Sequence, residues 1–342
     1  MRTTLEDRRL VHLACAALLA GGLGGCGGGG DGGLPGPGAT APTLTITSLN
    51  SDAVGHFTAA GVLGLPIAWL SDAKVSLAGS GAASVAVASP LAFLRQFRAG
   101  MANAGGDRKD ALEVIDTGDV PCNFGGTVSA TINDADNNGV ESPGDVETVV
   151  FHNCIGSVNE TYDGTVMMHV AEVTQDSSRY NVSLAQLSYV TPKHSLTFNG
   201  SYIAEVFAMT DSVQNTTYTV NGSVTIALAT HVPFNDTVTL KDGFFLREQA
   251  GYGSGQNLLS ASGRIESTFA GGSVDVSTSS PLTTPRSGQA GLYPASGVLK
   301  VAGKAGALSI TALSVTSVCV DVDTNDDGAI EATSTPSWEW LL

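Results

Sequence analysis

The sequence predicts a mainly β protein, an antiparallel meander forming a large curved sheet, sandwich or barrel, with one or two short helices near the N-terminus. Three observations carry this expectation. From Ala111 onward apolar residues recur with period two, as in Val128/Ala130/Ile132, Val166/Met168/Val170 and Val224/Ile226/Leu228. Turn-forming residues bound these runs at short, even spacing, the pattern of consecutive strands. Helical spacing of apolar residues is confined to the region before Ala111.

The N-terminus reads as an address. Arg2, Arg8 and Arg9 precede an apolar run from Leu10 to Leu23. That order marks an export signal, and the run falls short of the roughly 20 residues of a permanent span. It ends in Leu23-Gly24-Gly25-Cys26, a match to the lipobox. The match implies cleavage after residue 25 and lipid, palmitate among it, on Cys26. Several acyl chains make a stable anchor where one is marginal. Residues 26–42 are Gly-rich with prolines, a composition that buries little and behaves as a tether. Gly27, in place of Asp, directs such lipoproteins to the outer membrane by resemblance.

Elements follow in order. Thr43 to Ser48 alternates as a first strand. Ser51 opens a helical pattern with Val54, Phe57 and Ala60 on one face. A second helix is expected from Ser89-Pro90, with Leu91, Leu94, Phe97 and Met101 as its apolar stripe. The expected division is a mixed segment over 43–121 and a β-rich domain over 122–342. Further alternating runs include Thr148/Val150/His152, Val182/Leu184/Gln186 and Ile203/Val206. A unit of glycine followed by a polar or apolar β-former recurs at Gly126, Gly164, Gly200, Gly222 and Gly297, and reads as hairpin-turn chemistry. Pro281 to Pro294 reads as an excursion between strands, and Trp338/Trp340/Leu342 as a final strand.

Composition bounds the partners. Removing the first 25 residues, with three basic and two acidic groups, leaves 317 residues with 13 basic and 30 acidic ones, a net charge of −17. That balance excludes nucleic acid and electrostatic adhesion to anionic lipid, which require basic patches. Outside the cytoplasm disulfides form. Cys122, Cys154 and Cys319 are available once Cys15 is removed and Cys26 is lipidated.

Between Cys122 and Cys154 lies an acidic loop whose spacing suits calcium, a hard cation taking six to eight oxygen ligands. The EF-hand order of ligands, with glycine at the sixth position, is met by Asp134, Asp136, Asn138, the Val140 carbonyl, Ser142 and Asp145, with Gly139 at the turn. Asp145 departs from the usual Glu, and the flanks read as strands. Cys122 and Cys154 lie nearly symmetrically about this loop, so a disulfide would close the hairpin's open end while calcium closes its tip. Cys319 is then a buried thiol. A second, less complete set is Asp323, Asn325, Asp327 and Glu331, with Asp321 as another candidate ligand.

Cys122-Asn-Phe-Gly-Gly126, the Asp-x-Asp-x-Asn-Gly loop, Phe151-His-Asn-Cys154 and the late acidic loop before a terminal Trp resemble a group of uncharacterised proteobacterial lipoproteins. The resemblance covers most of 120–342 and implies no activity.

No His-Glu-x-x-His, Gly-x-Ser-x-Gly, phosphate-binding glycine loop or Cys-x-x-Cys occurs, so no catalytic residue is assigned. The expected function is a non-enzymatic binding or structural module on the cell envelope, with calcium as cofactor and the membrane as partner. The alternatives are a lipocalin-like carrier of apolar ligands, an extracytoplasmic hydrolase without a motif, and an integral outer-membrane barrel.

Overall fold

The structure, a computed structural model, describes residues 41–68, 75–76, 86–87, 114–122, 124–157, 160–192, 194–210, 213–230, 235–251, 256–285 and 293–341. The signal, Cys26, the tether as far as Thr40 and the helix expected from Ser89 lie outside the described residues.

The protein is mainly β. Two short strands, β1 (Val75–Ser76) and β2 (Ala86–Val87), pair with each other. All other strands join one antiparallel sheet. It begins with β3 (Val114–Asp116), β4 (Val120–Pro121) and β5 (Thr127–Asn133). Long strands follow: β6 (Val146–Ser157), β7 (Glu160–Val173), β8 (Ser177–Val190), β9 (His194–Thr210) and β10 (Val213–Thr230). β11 (Asn235–Lys241) and β12 (Phe245–Gly251) both pair with β10 and together act as one interrupted strand. The sheet continues through β13 (Gln256–Ser267), β14 (Gly272–Pro285), β15 (Ser296–Ala302), β16 (Ala307–Ser314), β17 (Ser317–Asp323) and β18 (Ala332–Ser334). Because β3 and β4 pair with β5, the sheet among the described residues takes in Val114–Asp116 and Val120–Pro121.

Alternation separates two faces. The inner one carries Val166, Met168, Tyr180, Val182, Tyr202 and Ile226, all at most 1 % exposed. The outer one carries cross-strand polar pairs such as Thr131 opposite Thr148, Ser183 opposite Ser201 and Thr225 opposite Thr239. This polarity is the reverse of a lipid-facing barrel, whose outer band is apolar. In β6 the expected phase is off by one: Glu147, Val149 and Phe151 face inward, while Thr148, Val150 and His152 face out. Adjacent Val149 and Val150 make either phase apolar in sequence. In β9 the inward row is Tyr202, Ala204 and Val206, so Ile203 is on the other side.

Helix α1 (Ser51–Ala68) lies on the inner face, against β8, β10, β11 and β13. It is longer than the short one-faced helix expected and is buried all round from Val54 to Gly64. A helix buried on every side must present an apolar or small surface everywhere. Its glycines provide that: a Cβ on Gly61 would come 2.7 Å from Ile265 Cδ1, and one on Gly64 3.0 Å from Ile226 Cδ1. Each helical glycine costs about 1 kcal/mol relative to Ala, which close packing against the sheet offsets.

Of the repeated glycine units only Gly126 is in a hairpin turn, the one joining β4 to β5; the other four are not. Gly164, Gly200, Gly222 and Gly297 lie inside β7, β9, β10 and β15. They fall beside register shifts, at Asp163/Thr165 between β7 and β8, Leu184/Leu187 between β8 and β9, and Val220/Val224 between β9 and β10. Bulges and glycine kinks aligned on neighbouring strands form a crease that curves a sheet. Gly200, at φ 128°, allows the Ser223 carbonyl to approach to 2.2 Å of where a Cβ would sit.

The C-terminus corrects another expectation. Trp338–Leu341 is one helical turn, α2, rather than a strand. Ser337 starts it, accepting from the Trp340 and Leu341 amides. Trp338 is buried, its indole N–H shared between the Pro294 and Ser314 carbonyls. Trp340 packs on His56 of α1, ring centroids 4.5 Å apart. The expected excursion at Pro281 is also partly strand, since β14 runs on to Pro285.

Strand direction alternates, so links between strands fall on two rims. One rim carries the Asp134–Asp145 segment and the links after β7, β9, β12, β14 and β16. The opposite rim carries the links after β6, β8, β10, β13 and β15 and the loop after β17. Residues 43–46, expected to be a strand, instead form a strap across this second rim. Thr43 N donates to the Ser273 carbonyl, Lys304 N to that of Leu44, and Ile46 N to that of Ala305, at 2.7–3.1 Å. A single parallel bridge, Thr45 to Ala305, is its only ladder contact among the described residues.

Candidate metal centres

The first acidic loop joins β5 to β6. Asp134 (2 % exposed) and Asp145 (0 %) are buried, whereas Asp136 is exposed. One carboxylate oxygen from each of the three lies within 4.8 Å of the others, a group that could hold a metal ion. Backbone N–H groups aim the carboxylates. Asp134 accepts from the amides of Asn138 (3.3 Å) and Gly139 (2.7 Å), and Asp145 from those of Ala135 (3.0 Å) and Ser142 (3.1 Å). Asp145 thus ties the loop's end to its start. Gly139, at φ 74°, and Asn137, at φ 56°, supply the left-handed steps of the turn.

The other three expected ligands flank this group. The Ser142 hydroxyl donates to Asp145 at 3.2 Å. Asn138 donates through its amide to Asp136 (2.8 Å), and its side-chain oxygen accepts from Val140 N (2.6 Å). The Val140 side chain points to solvent, 64 % exposed. Sequence reasoning missed the role of Glu141, which accepts from the buried Tyr180 hydroxyl at 2.6 Å and ties the loop to β8.

The second loop, between β17 and β18, repeats the first. Asp323 accepts from the amides of Asp327 (3.2 Å) and Gly328 (2.7 Å), and Asp327 Oδ1 from Ala329 N (2.8 Å). These bonds join the same relative positions as those of Asp134 and Asn138. Asp326, at φ 59°, and Gly328, at φ 86°, take the places of Asn137 and Gly139. Burial pushes the Asp323 carboxyl up, but the amides of Gly328, Asp326, Asp327 and Asn325 together outweigh it and hold it below the ordinary carboxylate value.

The carboxylates gathered here are Asp323, Asp327 and Glu331. Asn325 stands beside them, donating to Asp327 at 3.0 Å. Glu331 closes the loop, accepting from Thr324 N at 2.6 Å. It does so from the ninth position rather than the twelfth. Asp321 is not part of this group; it accepts from the Thr333 hydroxyl at 2.7 Å.

Cys122 and Cys154 form a disulfide, Cα atoms 5.5 Å apart, at the end of the β5–β6 hairpin opposite the Asp134 loop. Closing a loop of about this length restricts the unfolded chain by roughly 3–4 kcal/mol. Cys319 is buried, as expected, with its Sγ 3.6 Å from a carboxylate oxygen of Asp321.

Searches against protein-family models, curated proteins and solved structures find no match to this chain.

Proposed function

We propose that this protein is a non-enzymatic lipoprotein of the cell envelope, anchored through Cys26, whose β domain is stabilised by calcium in the Asp134 loop. The observation that carries the calcium reading is the convergence of Asp134, Asp136 and Asp145 in one glycine-centred loop. Like charges 4.8 Å apart repel by about 1 kcal/mol per pair in bulk water and about 3 kcal/mol at an effective dielectric of 20. A divalent cation turns that repulsion into attraction. Oxygen-only donors with alternate spacing favour calcium over softer metals, and an extracytoplasmic site meets calcium freely. The second loop, with Asp323, Asp327 and Glu331, takes the same ion.

The carrier reading is less favoured because α1 lies on the inner face, where a carrier would hold its ligand. Differential scanning calorimetry with excess chelator and then excess calcium tests the ion. The transition rises with calcium; identical transitions would refute it. Mass spectrometry of the N-terminal peptide tests the anchor. Lipidated Cys26 holds its sulfur in a thioether and has no capacity for a disulfide, so a Cys26–Cys319 cross-link in a non-reduced digest would refute that part.

A further inference from the structure

We infer that the rim crossed by the strap is a membrane-docking surface, which seats the domain on the bilayer that holds its anchor. The inference rests on the proposed lipid at Cys26. A Gly-rich segment of 16 residues, 27–42, would as a random coil have a root-mean-square reach of about 22 Å. It enters the domain at Thr43, which is pinned to Ser273, and the strap runs on beside Gly306 and the start of the Asp323 loop. The opposite rim stands roughly 25 Å away along β16, beside the strap, and roughly 55 Å away along β10, at about 3.3 Å per residue. The strap rim is therefore the one the anchor holds nearest the membrane.

The turns and loops of that rim also leave apolar side chains in water. Among the described residues, five large apolar side chains in turns and loops are exposed, and four sit at this rim. Leu49 follows the strap and is 96 % exposed; Phe269, in the β13–β14 turn, is 56 % exposed. Phe124 precedes β5, its amide bonded to the Ile155 carbonyl near the end of β6, and is 56 % exposed. Ile330, in the Asp323 loop, is 45 % exposed. The fifth is Val140, on the far rim. Exposed Phe, Leu and Ile on separate tips gain by entering the headgroup and acyl boundary once an anchor has brought them there. The acidic Asp323 loop on the same rim opposes an anionic surface, so the matching partner is a zwitterionic bilayer.

The test uses the full lipidated protein reconstituted into phosphatidylcholine vesicles with brominated acyl chains. Leu49→Trp and Phe269→Trp report the strap rim, Val140→Trp the far rim, and the native protein sets the tryptophan background. The added strap-rim fluorescence is quenched at least about twofold more than the background and shifts to the blue, as for interfacial aromatics, while the Val140→Trp signal is not. Protein that floats with the vesicles but shows no quenching at Leu49→Trp and Phe269→Trp, or equal quenching at Val140→Trp, overturns the docking surface and leaves the anchor standing. Native protein that does not float with the vesicles overturns the anchor and the docking surface with it.

Discussion

Gly164 of β7 faces the carbonyl oxygen of Gln186 on β8 so closely that a Cβ would stand 2.2 Å from it. Both residues have positive φ, 104° and 51°. The pair marks the crease where the sheet bends. Gly164→Ala would add left-handed strain of about 1–3 kcal/mol and a backbone collision that no rotamer relieves. Gly222, at φ 86° with no atom within 4 Å of its Cβ position, separates strain from collision. Urea midpoints give the comparison: Gly222→Ala loses about 1 kcal/mol and Gly164→Ala about 3 kcal/mol or more. Equal losses would show that the crease is not a close approach.

The two acidic loops lie on opposite rims, so their ion-binding effects add. Asp134→Asn removes the first increment of calcium stabilisation and leaves the second, and Asp323→Asn does the reverse. With calcium at about 100 times its dissociation constant each site contributes about 2.7 kcal/mol, some 5 °C in a domain of this size. Calorimetry of the two single variants and the double variant decides it. A double variant that still responds to calcium would place the ion elsewhere.

The Cys122–Cys154 bond closes the hairpin at the rim opposite its acidic loop. Replacing both cysteines with serine lowers stability by roughly 3 kcal/mol but leaves calcium affinity unchanged. Isothermal titration beside chemical denaturation checks both halves. Loss of calcium binding together with the disulfide would mean that the two ends of the hairpin are coupled.

His56 titrates inside the fold. Burial lowers its pKa below 6.5, against opposing contributions from a bond to the Leu341 backbone and the charge of Asp52. A histidine whose pKa falls on folding binds fewer protons when folded. Its contribution to stability is therefore complete above its unfolded pKa and is lost as pH falls through 6.5 toward the lower folded value. His56→Phe keeps an aromatic ring against Trp340 and flattens the dependence of melting temperature between about pH 7 and 5. An unchanged slope would assign that dependence to other groups.

Much of the candidate site could be read from spacing, because a short acidic loop is governed by local chemistry. Asp134, Gly139 and their counterparts Asp323 and Gly328 hold one another through bonds spanning two to five residues. The closing residues were harder. Glu331, a candidate from the sequence, has a closing bond to Thr324 that its spacing did not show, and the Tyr180–Glu141 bond joins residues 39 apart in sequence.

The β class, the strand series, the acidic loops and the Cys122–Cys154 pairing are all written in the chain itself. Each follows from short-range periodicity or turn preference. Long-range packing was needed to make Gly164 and Gly200 kinks inside strands, to enclose α1 on every side, and to turn Trp338 into a helical end. Those outcomes depend on which distant backbone or side chain approaches within van der Waals distance. A glycine is chemically the same in a hairpin turn and in a crease; the carbonyl of Gln186 or Ser223 is what distinguishes them.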